Sequence, residues 1–367
     1  MQRLRCLDGL RGLLAAYVML SHLAPFALLP GWIAQALSHG GAAVDVFFVL
    51  SGMVIVRSLD RFRWQARPFL RARARRIFPL FLVVFAAAVA IQPLALPFAS
   101  MPWIGPASPA RSIWSGGWPA SWAIDVLTHL TMTHGLFPHA IFPDIWVSLL
   151  GAAWSLSTEW QFYVLLAGLA AMRGPQWRGG IIWLLLAIAA AGLGWSRIAP
   201  PAWQFSRAFL GNEAHYFALG IAGAEWLERG EGARRHMAVL AAVLVLCGLH
   251  GGAGKLAAPL VWTVCLLAER DADAGRRILA PLRAVLRWRG MQWLGAVSYA
   301  LYLVNEPVQK LLGLALARLV HGDPVLFTML WLPAAAGLPL LAAWGLHVAI
   351  EPGGSVRAAA PAGLAAR

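Results

Sequence analysis

Apolar stretches about as long as a membrane is thick recur from one end of this chain to the other. A bilayer core about 30 Å thick requires about 20 apolar residues for one helical crossing. Of the 367 residues, 60% are hydrophobic and 13% are charged, whereas an average soluble domain is about half apolar and about a quarter charged. The chain is therefore predicted to be an all-α, polytopic transmembrane helical bundle.

The apolar stretches predict about ten transmembrane helices. The seventh and eighth are short and also fit one re-entrant pair, so a count of eight or nine stays open. Residues 1–352 are predicted to form one transmembrane domain, followed by a short, disordered cytoplasmic tail, 353–367. The predicted spans are 10–30, 43–57, 77–97, 145–172, 181–198, 205–226, 237–250, 256–269, 292–318 and 325–350.

The basic residues provide an internal test of these spans, because Lys and Arg collect in cytoplasmic loops. With the N-terminus inside, 24 of the 30 basic residues are cytoplasmic, and so are both termini. The densest cluster is the run of eight arginines from Arg57 to Arg76, which is typical of a loop beside anionic lipid. This distribution argues against nucleic acid as a partner, despite the net charge of +14.

Sequence patterns for metal or phosphate-loop chemistry are not convincing here. His129, His134 and His139 lie in the longest outer connection, about residues 98–144, but their spacing fits one helical face poorly, so no metal site is predicted. Residues 251–255 resemble a phosphate loop yet lack the first glycine and the final Ser or Thr. The outer connection is rich in Trp, Pro, Gly and Ser and is predicted to be an ordered surface at the bilayer interface.

Ionisable side chains inside the spans are candidates for function, because each costs roughly 2.5 to 3.5 kcal/mol to insert. Arg11 lies at the cytoplasmic start of the first helix, and eleven residues of 1.5 Å each carry His22 roughly 16 Å deeper. Glu159 lies near the middle of the fourth span, among aromatic residues. A neutral His beside a buried carboxylate can act as a general base, whereas a histidine that only packs is the simpler alternative.

The second span adds two polar candidates. Asp45, at its outer end, is a second carboxylate that could orient such a histidine, or it is a charge near a helix N-terminus. Ser51, beside Gly52, offers a hydroxyl to a substrate or permits close helix approach, and the sequence favours neither.

The cytoplasmic mouths of the first and third spans carry Asp8, Arg73 and Arg76 in addition to Arg11. Guanidinium groups bind phosphates through paired hydrogen bonds. These residues therefore suit a molecule with several phosphates whose reactive end reaches mid-membrane, although topology anchoring alone also accounts for most of the arginines.

Five segments together resemble the membrane-bound acyltransferase type 3 family, and the resemblance spans nearly the whole chain. On the first helix, residues 11–22 begin with an Arg and end with a His, and residues 45–53 contain Asp-x-Phe-Phe-Val-Leu-Ser-Gly. Residues 73–79 are an Arg-rich segment that ends in Arg-Ile-x-Pro. Residues 154–163 read Trp-Ser-Leu-x-x-Glu-x-Gln-Phe-Tyr, and residues 295–303 contain Ser-Tyr-x-x-Tyr-Leu.

One departure from the family pattern concerns Asn305. Many members carry His there, in a Trp-His-x-Pro string, whereas this chain has Asn305 and Glu306 before Pro307. Because an amide cannot act as a base, we expect Asn305 only to position other groups, and any second proton-transfer role is lost or has passed to Glu306.

The resemblance implies a donor and an acceptor on opposite sides of a bacterial inner membrane. Acyl-CoA, often acetyl-CoA, would dock from the cytosol on Arg11, Arg73 and Arg76 with Asp8 nearby, as a co-substrate rather than a bound cofactor. The acceptor would be a glycan or lipid-linked sugar outside. The acceptor's identity, the acyl length and the oligomeric state are left open.

The resemblance also implies roles at the reacting centre. His22, oriented by Glu159, would remove a proton from the acceptor hydroxyl, while Asn305 or Tyr163 would donate to the developing oxyanion. An acyl-histidine intermediate stays open.

Two alternatives remain at the level of sequence. A transporter or flippase could use His22 and Glu159 as a proton relay, but the two halves show no matching pair of interrupted helices. A structural partner would use the same polar residues only for packing.

Overall fold

A computed structural model describes residues 4–114, 116–229, 232–270 and 278–350, and most of these residues are helical. These ranges contain no strand, only one isolated bridge between Pro138 and Phe205, so the predicted all-α class is confirmed. The predicted tail, 353–367, lies outside the described residues. The α-helices are α1 (Arg5–Leu23), α2 (Gly31–Leu37), α3 (Gly40–Arg61), α4 (Ala66–Ile91), α5 (Pro109–Ile113), α6 (Trp122–Leu130), α7 (Ala153–Arg173), α8 (Ile181–Ile198), α9 (Leu210–Arg229), α10 (Ala233–Gly251), α11 (Ala257–Arg270), α12 (Ala280–Arg287), α13 (Arg289–Leu319) and α14 (Pro324–Ile350).

Each predicted span coincides with a helix, namely α1, α3, α4, α7 to α11, α13 or α14. In the described residues, five helical segments are long and apolar enough to cross a membrane: Gly31–Arg61, Ala66–Ile91, Ile181–Ile198, Ala233–Gly251 and Pro324–Ile350. The membrane crossing of the remaining predicted spans stays a prediction; these spans lie in α1, α7, α9, α11 and α13.

Glycines permit the closest helix crossings. A Cβ on Gly12 of α1 would collide with Gly295 of α13, and a Cβ on Gly52 of α3 would collide with the carbonyl of Phe217 in α9. Small residues allow such approach between helices that lipid does not drive together. Of the two alternatives for Ser51 and Gly52, close helix approach is therefore observed at Gly52, and a substrate contact of Ser51 stays a prediction.

Polar contacts join the helix ends at one end of the bundle, which we call the basic end. Asp60 at the end of α3 forms an ion pair of 2.7 Å with Arg178, just before α8. Glu269 at the end of α11 accepts from the backbone N–H of Cys6 in α1 at 2.6 Å and pairs with Arg287. The topology prediction places these same helix ends on one side, and the side of the membrane that they face stays a prediction.

The long connection between α4 and α7 forms a packed layer over the opposite end. Phe26, Trp114 and Trp331 stack in a second hydrophobic core, with 3.8 Å between the Phe26 and Trp114 ring centroids. The connection is therefore ordered, as predicted, and its position at the bilayer interface stays a prediction.

Candidate active site

Two cavities lie within the bundle. The basic cavity, of about 510 Å³, is lined by five arginines and two carboxylates. The tryptophan cavity, of about 880 Å³, lies toward the opposite end and is lined by four tryptophans and by His22. The charged residues of the basic cavity are Arg11, Arg57, Arg61, Arg73, Arg76, Asp8 and Glu159, and the tryptophans of the other are Trp114, Trp118, Trp146 and Trp154.

The same five helices, α1, α3, α4, α7 and α13, contribute to both cavities. On α1, Arg11 lines the basic cavity and His22 lines the tryptophan cavity, so the predicted difference in depth along the helix separates the two residues into different cavities. Val44 of α3 and Tyr302 of α13 line both cavities. The two cavities therefore follow one another along the bundle and meet at these two side chains.

The basic cavity has more positive charge than its own carboxylates balance. Arg73 donates from Nη2 to Ser58 Oγ at 2.9 Å, and its guanidinium lies 5.9 Å from the ring centroid of Tyr163. The Arg73 Nε is buried and has no hydrogen-bond partner among the described residues. Because a buried donor is normally satisfied, these groups suit a bound anion.

Glu159 lies in the basic cavity. Its carboxylate accepts hydrogen bonds from the hydroxyls of Ser51 and Tyr163, which line the same cavity. The structure thus brings together seven of the predicted site residues around one cavity: Arg11, Arg73, Arg76, Asp8, Ser51, Glu159 and Tyr163.

His22 has a different partner from the one predicted. Its Nδ1 lies 2.8 Å from Asn305 Oδ1 in α13, and the predicted pairing with Glu159 does not form. Trp154 shows where α7 passes the tryptophan cavity, and Glu159 lies five residues further along, roughly 7 Å toward the basic end. Whether His22 of α1 meets Glu159 of α7 depends on how the two helices are positioned along the bundle axis, which the sequence does not specify.

Asn305 fixes the tautomer of His22. Its Nδ2 donates to the carbonyls of Leu301 at 3.0 Å and Tyr302 at 2.7 Å, so Oδ1 must be the atom that faces the imidazole. Because an amide oxygen only accepts, Nδ1 of His22 carries the proton and Nε2 keeps its lone pair. Asn305 is a positioning group, as predicted, but its N–H groups are already engaged and cannot also serve an oxyanion. The Tyr163 hydroxyl is likewise engaged by Glu159.

Glu306 is a carboxylate of the same cavity that interacts with His22. It lines the tryptophan cavity and interacts electrostatically with His22 and Lys310. Its oxygens accept from the backbone N–H groups of Gly151 at 3.4 Å and Ala152 at 3.2 Å, just before α7. A helix N-terminus favours such an acceptor group, so the backbone before α7 holds the Glu306 side chain in place.

Asp45 does not contact the histidine. It is buried and pairs with Arg207 at 2.5 Å and with Lys255 at 3.5 Å, and both cations also pair with the buried Glu213. The guanidinium of Arg207 lies 4.9 Å from the Trp154 ring centroid and lines the tryptophan cavity. The prediction that Asp45 orients His22 is therefore wrong in this structure, because cations from two loops reach the carboxylate instead.

Sequence reasoning missed Arg207, Lys255 and Glu213. Lys255 comes from the segment 251–255, which resembles a phosphate loop, and nothing in that pattern indicates that the lysine pairs with a carboxylate. Glu213 lies inside the predicted span 205–226, and that position was a usable signal, because an intramembrane carboxylate requires a partner.

The histidines of the outer connection form a packing unit. The rings of His129 and His134 are buried and stack with centroids 4.0 Å apart, while His139 is half-buried. Burial lowers the pKa of His129 to about 4, and burial together with neighbouring His129 lowers the pKa of His134. Among the described residues, no group of three His, Cys, Asp or Glu side chains could hold a metal ion.

The acyltransferase domain of the acyltransferase 3 family matches residues 4–348. With the apolar helices described above, this match defines the protein as an integral membrane acyltransferase. The chain belongs to the acyltransferase 3 family, because the match covers nearly its whole length. Searches of curated proteins and of solved structures gave no significant match.

Proposed function

We propose that the protein transfers an acetyl or similarly short acyl group from cytoplasmic acyl-CoA to a hydroxyl of an extracytoplasmic glycan or lipid-linked sugar in the bacterial inner membrane. The observation that carries the proposal is the order of groups along one bundle. The arginines lie in one cavity, His22 lies in the next, and the same five helices line both.

The basic cavity is the proposed donor site. Its five arginines face two carboxylates, so the excess positive charge suits the phosphates of CoA, and guanidinium can bind them bidentately. Arg11, Arg73 and Arg76 would make these contacts, with the unsatisfied Arg73 Nε as one donor. Asp8 and Glu159 are electrostatic neighbours of Arg11 and would hold its guanidinium in position. The apolar wall of the cavity would accept the pantetheine arm, with the thioester toward Val44 and Tyr302.

His22 is the proposed general base. Its free Nε2 takes the proton of the acceptor hydroxyl while that oxygen attacks the thioester carbonyl carbon. The C–S bond then breaks, and the imidazolium returns the proton to the leaving sulfur, which gives free CoA and the ester. Asn305 keeps the tautomer, and the side chain of Glu306, an electrostatic neighbour of His22, stabilises the imidazolium. Direct transfer requires no acyl-histidine.

The tryptophan cavity is the proposed acceptor site. Its aromatic walls and the guanidinium of Arg207 present flat surfaces and N–H donors. The charge of Arg207 is balanced by Asp45 and Glu213, so the wall suits hydroxyl groups of a neutral sugar.

The proposal is tested with the purified full-length protein in lipid nanodiscs, radiolabelled acetyl-CoA and an envelope polysaccharide extract as acceptor. We expect His22→Ala to lower acetyl transfer by about 10² to 10⁴-fold, the usual contribution of a general base. Arg11→Ala is expected to raise the KM for acetyl-CoA. Unchanged melting temperatures serve as the folding control.

Undiminished transfer by the His22→Ala protein would overturn the proposal. Mass spectrometry of envelope glycans from cells with and without the protein identifies the acylated acceptor.

A further inference from the structure

We propose that the hydrogen-bonded pair of Tyr302 and Ser155 is a gate between the two cavities, which limits the acyl group to a short chain and keeps water away from the thioester. This inference rests on the proposed function, because it requires that an acyl group moves from the basic cavity toward His22.

The gate lies where the cavities meet. The hydroxyls of Tyr302 in α13 and Ser155 in α7 are 2.8 Å apart, and both residues are buried. Tyr302 lines both cavities together with Val44, whereas Ser155 lines only the basic cavity. The ring of Phe47 meets the Tyr302 ring edge to face, with centroids 6.0 Å apart. Residues of three helices thus close the passage at one level.

The gate is also linked to the groups that position His22. The backbone carbonyl of Tyr302 accepts from Asn305 Nδ2. Ser155 lies in the first turn of α7, next to the Ala152 N–H that holds Glu306. The Tyr302 side chain therefore lies between Asn305, which contacts His22, and the basic cavity. In the proposed function, an acyl group passes this point.

Opening the gate requires only a small change in side-chain contacts. Rotating the Tyr302 ring breaks its one side-chain hydrogen bond, which is the bond to Ser155. The space released is that of one ring, which fits an acetyl group and excludes long chains. When closed, the pair satisfies both hydroxyls and separates the thioester from water near His22.

Two activities of the purified full-length protein test the gate. The first is the ratio of hexanoyl to acetyl transfer from the two acyl-CoA donors to the envelope polysaccharide extract. The second is acetyl-CoA hydrolysis without acceptor, followed as release of free CoA thiol and acetate. Four variants are compared with the wild type: Tyr302→Ala, Tyr302→Phe, Ser155→Ala and the double variant Tyr302→Phe/Ser155→Ala.

Tyr302→Ala is expected to raise the hexanoyl to acetyl ratio at least about tenfold, because even one methylene changes acceptance by a pocket about tenfold or more. Tyr302→Phe and Ser155→Ala remove the same hydrogen bond, so each should raise hydrolysis several-fold and the double variant should raise it no further. Tyr17→Phe, outside both cavities, is the matched control and should change neither activity.

The outcomes separate the gate from the proposed function. If the wild type transfers no acetyl group at all, the proposed function fails. If the wild type transfers acetyl but Tyr302→Ala keeps the wild-type ratio, or if the Tyr302→Phe and Ser155→Ala effects simply add, the gate is wrong. Should Tyr302→Ala fail to fold, the two conservative variants still decide the question through hydrolysis. Loss of that hydrolysis on adding His22→Ala would place the reacting water beside the histidine.

Discussion

The two cavities differ in how their charges are satisfied. In the basic cavity, five arginines face two carboxylates, and a buried N–H of Arg73 has no partner in the described part of the chain. In the tryptophan cavity, the charges are satisfied by the protein itself. Arg207 pairs with Asp45 and Glu213, and Glu306 accepts from the backbone before α7.

This difference indicates what each cavity binds. The arginines of the basic cavity outnumber its carboxylates, and the buried Arg73 N–H without a partner costs free energy until an acceptor binds, which supports the proposed anionic ligand. Balanced charges on aromatic walls attract no strong ion, so the tryptophan cavity is prepared for a neutral, hydroxyl-rich ligand. Four predictions, from the largest effect to the smallest, can break or sharpen this contrast.

The strongest prediction concerns the balanced charges of the tryptophan cavity. Arg207→Met leaves the buried Asp45 and Glu213 with only Lys255, and breaking a buried ion pair typically costs about 3 to 5 kcal/mol. We expect a large fall in melting temperature in detergent. Arg67→Met, an exposed arginine of the basic cluster, is the control and should leave the melting temperature nearly unchanged.

If Arg207→Met melts like the wild type, the charges of the tryptophan cavity are not held by the protein, and the contrast between the cavities is lost.

The second prediction concerns acid and the layer over the tryptophan cavity. Burial lowers the pKa of His129 to about 4 in the folded protein, against about 6.5 when unfolded. The unfolded chain therefore binds the proton first, and stability falls as the pH drops from 6.5 to 4, by roughly 3 kcal/mol at the lower limit. Melting temperatures across this range measure the loss.

His129→Phe should flatten that acid dependence, because a phenyl ring takes up no proton. The matched control is His139→Phe, at a half-buried histidine of the same connection, which should keep the wild-type dependence. Equal pH profiles for the two variants would show that His129 is not the responsible group.

The third prediction concerns the tautomer of His22. Asn305→Ala removes the acceptor that keeps the proton on Nδ1, so Nε2 is free as a base for only part of the time. We expect kcat to fall by roughly 10 to 100-fold, as part of the general-base contribution, while the KM for acetyl-CoA stays unchanged. A change in that KM alone would instead assign Asn305 to the donor site.

The fourth prediction, with the smallest expected effect, concerns the proposed donor site in the basic cavity. Arg76→Gln removes one charged contact to a phosphate, worth about 1.5 kcal/mol or more, so the KM for acetyl-CoA should rise about tenfold. Arg75→Gln is the neighbouring control, because Arg75 is exposed and does not line the cavity. Equal KM values for the two variants would remove Arg76 from the donor site.

The contacts within one helix could be predicted from the sequence, and the contacts between helices could not. The spacing of Arg11 and His22 determines their separation along α1, whereas the sequence does not predict that they line two different cavities. The pairing of Glu159 with His22 depends on how far α7 slides against α1, which no local pattern specifies. Asp45 was assigned a wrong partner because its cations come from connecting segments, whose paths depend on the whole fold.

The central claim is that acyl groups pass along the bundle from the basic cavity to His22, and reconstituted vesicles test it most directly. The protein is reconstituted in liposomes with one predominant orientation, radiolabelled acetyl-CoA is supplied on the side of the arginines, and the envelope polysaccharide extract is trapped on the other. We expect acetylated polysaccharide in the trapped compartment with the wild type and none with His22→Ala. Acetylation only when donor and acceptor share a compartment would contradict the account.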